Sequence, residues 1–83
     1  MNNTIPSTAN NKTYNITREI AEYTHRRRIR DAFFYGELTI TVTDDGVFDI
    51  EKCESDSIKR VAIKETKRIH PEYRYAGDIS ETR

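Results

Sequence analysis

Seven carboxylates, Glu37, Asp44, Asp45, Asp49, Glu51, Glu54 and Asp56, crowd a twenty-residue window in which Lys52 is the one base. Acids at close spacing serve acid–base chemistry or metal binding when a fold converges them in a cleft. Here Asp44-Asp45-Gly46 is turn chemistry, and the turn already accounts for both aspartates. Cys53 is the single cysteine and acids surround it, whereas reactive thiolates need positive surroundings. It reads as an ordinary strand-end residue. His25 and His70 are far apart and, with one cysteine, offer no zinc-ligand spacing. Gly36, Gly46 and Gly77 are the only glycines and form no phosphate loop. Spacing supports no triad, dyad or metal set. The expectation is a non-enzyme with no cofactor and no metal.

Binding is the chemistry these residues suit. Basic clusters flank the acidic window: Arg26, Arg27, Arg28 and Arg30 before it, then Lys59, Arg60, Lys64, Lys67 and Arg68 after it. The formal net charge of zero therefore hides a polarised chain, and local fields steer its encounters. Carboxylates beside exposed aromatics fit a Lys/Arg-rich protein partner. Arginine and lysine on one helix face are the ingredients of phosphate binding, although the nearby acids oppose it.

The elements that must hold these groups follow from periodicity. Leu38, Ile40 and Val42 alternate with Glu37, Thr39, Thr41 and Thr43, and Phe48 and Ile50 with Val47, Asp49 and Glu51. Both runs read as half-buried strands joined at Asp44-Asp45-Gly46. A three-residue loop with Gly46 left-handed pairs Val42 with Phe48 and Ile40 with Ile50. A two-residue loop would mix the faces. In this register Thr39, Thr41, Asp49 and Glu51 share one face, with Glu37 and the turn acids nearby. If the parity runs back through Gly36, Phe33 and Tyr35 join that face and Phe34 enters the core; a bulge at Gly36 reverses this.

Ser55-Asp56-Ser57 offers capping residues to a helix whose stripe is Ile58, Val61, Ala62 and Ile69, ended by Pro71. Glu65 lies inside that stripe, so it either reaches past the sheet edge or pairs with an arginine of the basic run. Tyr73 and Tyr75 alternate as a short last strand. Residues 14–30 are ambiguous. Tyr14, Ile16 and Ile20 share a strand parity, while Thr17 to Tyr23 holds good helix formers behind a capping threonine. A helix through Arg30 would set Ile20 and Ile29 on opposite sides, so a strand is preferred, with Arg26–Arg30 as a connection. The expected fold is α+β: a small antiparallel sheet of three to four strands with one α-helix packed on one face.

The chain has 83 residues, enough for a single domain. Residues 1–12, rich in Asn, Thr and Ser, read as a disordered tail, 13–77 as the domain, and 78–83 as a frayed end. So small a core invites help from a second copy, and a homodimer is one solution. Neither a signal peptide nor a run of ~20 apolar residues is visible. The sequons at Asn2, Asn11 and Asn15 then read as chance, and the lone cysteine agrees with a reducing cytoplasm.

Phe48-Asp-Ile50-Glu51, Ser55-Asp56-Ser57 and Ile58 through Ala62 resemble small phage-encoded proteins, some of them anti-CRISPR proteins, with an antiparallel sheet and one helix. Thr17 to Tyr23 resembles their first strand, and His70-Pro71-Glu72-Tyr73 their link to the last strand. Lys52-Cys53, Ile58 and the arginine-rich connection depart from the pattern. The resemblance implies a non-catalytic inhibitor in the bacterial cytoplasm that occupies a nucleic-acid-binding surface of a defence complex. The partner-binding candidates are Glu37, Asp44, Asp45, Asp49 and Glu51, with Phe33 and Tyr35 as anchors. The alternative is a nucleic-acid-binding module using Arg26, Arg27, Arg28, Arg30, Lys59, Arg60, Lys64 and Lys67. A third reading is an assembly component dimerising through sheet edges.

Overall fold

The structure, a computed structural model, describes residues 12–80. Of the two tails, residues 1–11 and 81–83 lie outside the described residues. The elements in chain order are β1 (Thr13–Asn15), α1 (Thr17–Tyr23), α2 (Arg27–Phe34), β2 (Leu38–Thr43), β3 (Val47–Cys53), α3 (Asp56–Ile69), β4 (Arg74–Tyr75) and α4 (Ala76–Ser80). The fold is α+β.

The β2–β3 hairpin has the register its apolar pattern requires: Val42 faces Phe48, Thr41 faces Asp49 and Ile40 faces Ile50. Gly46 closes the loop at φ +84°, a conformation that costs other residues a Cβ clash. Beyond Ile50 the pairing slips by one, so that Thr39 meets Lys52 and Leu38 meets Cys53. Glu51 is therefore a bulge residue. It turns Lys52 away from the helices and Cys53 toward Leu38, the reverse of strict alternation.

The sheet order is β1-β2-β3-β4. Its first three strands are antiparallel, but β4 runs parallel to β3, pairing Arg74 with Val47 and Tyr75 with Phe48. The all-antiparallel expectation is thus corrected. A helix between β3 and β4 carries the chain back to the start of β3, which is the crossover that parallel pairing demands. The core gathers Ile16, Ile20, Ile29, Ala32, Leu38, Ile40, Val42, Phe48 and Ala62 between sheet and helices.

Two further corrections concern 17–34. Thr17–Tyr23 is helix and not strand, and Arg27–Phe34 is helix and not a connection, so α3 does not cover the sheet alone. One continuous helix would have opposed Ile20 and Ile29. The chain instead breaks at Thr24–Arg26, where Thr24 (φ −97°, ψ 152°) and Arg26 (φ −87°, ψ 106°) are extended. The break re-phases the second helix, and Ile20 and Ile29 are both fully buried. Helix α2 ends in a Schellman motif: Gly36 N–H donates to Phe33 O, Glu37 N–H to Ala32 O, and Gly36 sits at φ +72°. Helix α3 starts as its sequence requires. Ser55 Oγ accepts from the Ser57 and Ile58 N–H groups, and Asp56 faces the positive end of the helix dipole.

Candidate functional site

Strand alternation gives the sheet two unlike sides. Leu38, Ile40, Val42 and Phe48 turn toward the helices and are buried, while Thr39, Thr41, Thr43 and Asp49 turn away from them. Thr41 Oγ1 donates to Glu51 Oε2 at 3.2 Å, so the bulged Glu51 also reaches the helix-free side. Asp49 and Glu51 are thereby brought together around Thr41. Glu37 is exposed just before β2, and Asp44 and Asp45 are exposed at the far turn. The six residues of β2 separate them by about 20 Å. None of these five carboxylates enters an ion pair with another described residue. Lys52 and Arg74 share their side of the sheet. Beside the turn a cleft of about 410 Å³ opens among Tyr14, Asp44, Asp45, Glu72 and Tyr73.

The aromatics depart from expectation. Phe34 is 78% exposed and not in the core, and it meets Tyr35, 70% exposed, edge to face at 5.2 Å. Phe33 is half-buried. All three lie at the C-terminal end of α2 and none lies on the sheet face, because the left-handed Gly36 ends a helix here and does not continue a strand.

Glu65, the misfit of the apolar stripe, is 7% exposed. Its Oε1 accepts from Thr24 Oγ1 at 2.7 Å and Arg68 Nε at 2.9 Å, and its Oε2 lies 3.5 Å from Arg26 Nε. The pairing with an arginine of the basic run is therefore realised. Burial alone would raise the Glu65 carboxyl, but the hydrogen bonds from Thr24 and Arg68 and the charges of Arg68 and Arg26 hold it below the ordinary value. Thr24, itself buried, also accepts from Arg26 N–H at 3.0 Å, and its carbonyl accepts from Arg30 at 2.8 Å. Glu65 thus anchors the break between α1 and α2.

The basic residues divide. Arg28 donates to Ser57 Oγ at 2.7 Å, setting the start of α2 against the start of α3. Arg26, Arg27 and Arg28 line a cleft of about 290 Å³ with His25 and Val61. Ser57, Arg60, Val61, Lys64 and Arg68 fall on one side of α3 at helical spacing. Arg60 and Lys64 therefore belong with the arginine run. Lys67 instead pairs with Asp78 at 2.6 Å, and Lys59 is half-buried on the other flank.

His70, which spacing did not single out, joins α1 to the segment before β4. Its Nε2 lies 2.8 Å from Glu19 Oε2, its Nδ1 3.2 Å from Glu72 Oε2, and its ring stacks on Tyr73 at 4.3 Å. Burial alone would lower its pKa, but the hydrogen bonds and charges of Glu19 and Glu72 outweigh that and raise it. A raised imidazole stabilises the fold fully below the unfolded value of about 6.5, and that contribution is lost as pH rises through the folded pKa. The melting temperature should therefore fall as pH rises above about 6.5 and through the folded pKa, and His70→Gln should flatten this fall. Equal slopes for the two proteins would refute the assignment.

Among the described residues no three His, Cys, Asp or Glu side chains gather as a metal-holding group, and no helix is long and apolar enough to cross a membrane. Cys53 Sγ contacts Ser55 O at 3.1 Å. Comparison with protein-family models, curated proteins and solved structures finds no match.

Proposed function

We propose that this chain is a non-catalytic inhibitor that lays its helix-free sheet face on a basic, nucleic-acid-binding surface of a partner protein. The observation that carries the reading is the set of carboxylates along the β2–β3 hairpin that no described cation neutralises. Asp49 and Glu51 stand at its middle, Glu37 at one end and Asp44 and Asp45 at the other, none of them in an ion pair with another described residue. Intervening threonines keep the face low, so a broad groove can approach it. Carboxylates spaced along a strand then stand in for phosphates, and complementary charge sets both the encounter rate and the register.

Anchoring moves from Phe33 and Tyr35 to the turn. The cleft walled by Tyr14 and Tyr73 and edged by Asp44, Asp45 and Glu72 lies at the end of the hairpin on the helix side, where Tyr14 pairs with Val42, so a partner segment that wraps the turn can seat an arginine or lysine there against ring faces and carboxylates together. The Phe34–Tyr35 pair extends the contact at the other end of β2. The partner class is a bacterial defence complex, in keeping with the anti-CRISPR resemblance, and the setting is the bacterial cytoplasm.

Asp49→Lys combined with Glu51→Lys tests this. The native chain used as bait in a bacterial lysate should retain nucleic-acid-binding proteins that added duplex DNA displaces. Reversing two charges should weaken that capture at least ~100-fold, because like charges across an interface cost several kcal/mol. Both residues lie on the helix-free side, so circular dichroism should be unchanged. Unaltered capture by the folded double variant would sink the proposal.

A further inference from the structure

We propose a second site on the opposite side of the molecule: the cleft between the start of α2 and Val61 of α3 binds the phosphate backbone of a nucleic acid. It does not rest on the helix-free sheet face, since different residues on a different layer form it.

The cleft, about 290 Å³, is lined by His25, Arg26, Arg27, Arg28 and Val61. Three consecutive arginines at one opening are costly to hold together unless something negative compensates them. Inside the chain the compensation is partial. Glu65 serves Arg26 and Arg68, and its carboxylate is then fully engaged. Arg28 is held by a neutral hydroxyl, Ser57, which fixes its direction and leaves its charge unmatched. Arg27, Arg60 and Lys64 form no ion pair with a described residue. Four cations, Arg27, Arg28, Arg60 and Lys64, therefore face solvent on one side of the α2–α3 pair with no carboxylate partner among the described residues.

Their arrangement favours a chain of phosphates over a single small anion. Arg60 and Lys64 are about 6 Å apart along α3 from the 1.5 Å rise per residue, and both are set off from the α2 turn. Such an array tracks a backbone, whereas a lone anion needs donors converging on one point. The floor of Val61 lacks a polar group to orient a small ligand. Arginine also presents a planar fork suited to phosphate oxygens. The α1–α2 break creates the site. The arginine run that a continuous helix would spread around its circumference is instead turned toward α3 by Thr24 and Glu65.

The test is fluorescence anisotropy of a labelled DNA duplex across a salt series with the full chain. Four phosphate contacts give a slope of log K against log salt near −3.6, so affinity should weaken roughly 100-fold between about 50 and about 200 mM salt. Arg27→Ala with Arg28→Ala should reduce the slope by about 2, and so should Arg60→Ala with Lys64→Ala. The second pair lies on an exposed helix face and makes no side-chain hydrogen bond to a described residue, which keeps the test valid if the first pair disturbs the break. Arg74→Ala, on the other side of the sheet, should leave the slope unchanged. The proposal is overturned by no detectable binding at the lower salt, by a slope that neither double variant reduces, or by an equal effect of Arg74→Ala. Displacement of the duplex by inorganic phosphate beyond its ionic-strength effect would place a small-anion site there and overturn the backbone assignment. If Asp49→Lys with Glu51→Lys abolishes protein capture while the salt slope persists, the two faces act independently.

Discussion

Phe48→Ala is expected to destabilise the protein by about 3–5 kcal/mol, the range for emptying a buried aromatic site. Phe48 is fully buried near the start of β3, opposite Val42, with its ring 5.4 Å from that of Tyr75. Among the described residues it is the largest side chain wholly withdrawn from water. It also touches the strand on either side, so its loss loosens both the hairpin and the short parallel strand. At about 0.05–0.15 kcal/mol per residue, a domain this size has only about 4–12 kcal/mol in total. The variant should therefore be largely unfolded near 37 °C or show a sharply lower urea midpoint with an unchanged slope. Phe48→Leu keeps most of the volume and should cost far less. A loss below about 1 kcal/mol for the alanine variant would contradict its central place in the core.

Glu65→Ala should be the next most damaging change, at about 2–4 kcal/mol. The substitution leaves the buried Thr24 hydroxyl without its acceptor and removes the carboxylate shared by Arg26 and Arg68. Both arginines are substantially exposed and can turn to water, which keeps the cost below that of orphaning a fully buried charge. Glu65→Gln retains an acceptor for Thr24 and should lie between the two. Because the carboxyl is held below its ordinary pKa, its contribution is present above the unfolded value of about 4.3 and is lost as pH falls through the folded pKa. Acid titration of stability should thus be shallower in Glu65→Gln than in the native chain. The local consequence is more specific. Losing Glu65 frees the α1–α2 break, so amides of Thr24–Ile29 should exchange faster than those of the β2–β3 hairpin. Uniform exchange across both regions would deny Glu65 an anchoring role.

Glu65 also marks the limit of what is legible in the sequence. Its oddness is visible there, as an acid within the stripe Ile58, Val61, Ala62 and Ile69. Its partner Thr24 lies 41 residues away and has no local signature. The same distance hid α1 and α2. Opposed Ile20 and Ile29 argue against one helix, and only the long-range contact at Thr24 shows that two short ones solve the problem. The hairpin, by contrast, is local. Its register, its left-handed Gly46 and the Ser55 cap all follow from residues a few positions apart. The side of the sheet taken by Thr41 and Asp49 was legible for the same reason, whereas Phe33 and Tyr35 were misplaced because a Schellman end at Gly36 and a strand continuing through it share the same residues.

The sequence by itself determined the β2–β3 pairing, the extent of α3 and the side of the sheet on which Thr41 and Asp49 stand, since each depends on a two- or 3.6-residue period that neighbours enforce. Only the tertiary structure decided that Glu51 bulges, that β4 pairs in parallel, that His70 sits between two carboxylates, and that the arginine run opens beside α3. Those outcomes depend on contacts between segments far apart in the chain, where burial and the demand that every buried polar group find a partner outweigh local preference.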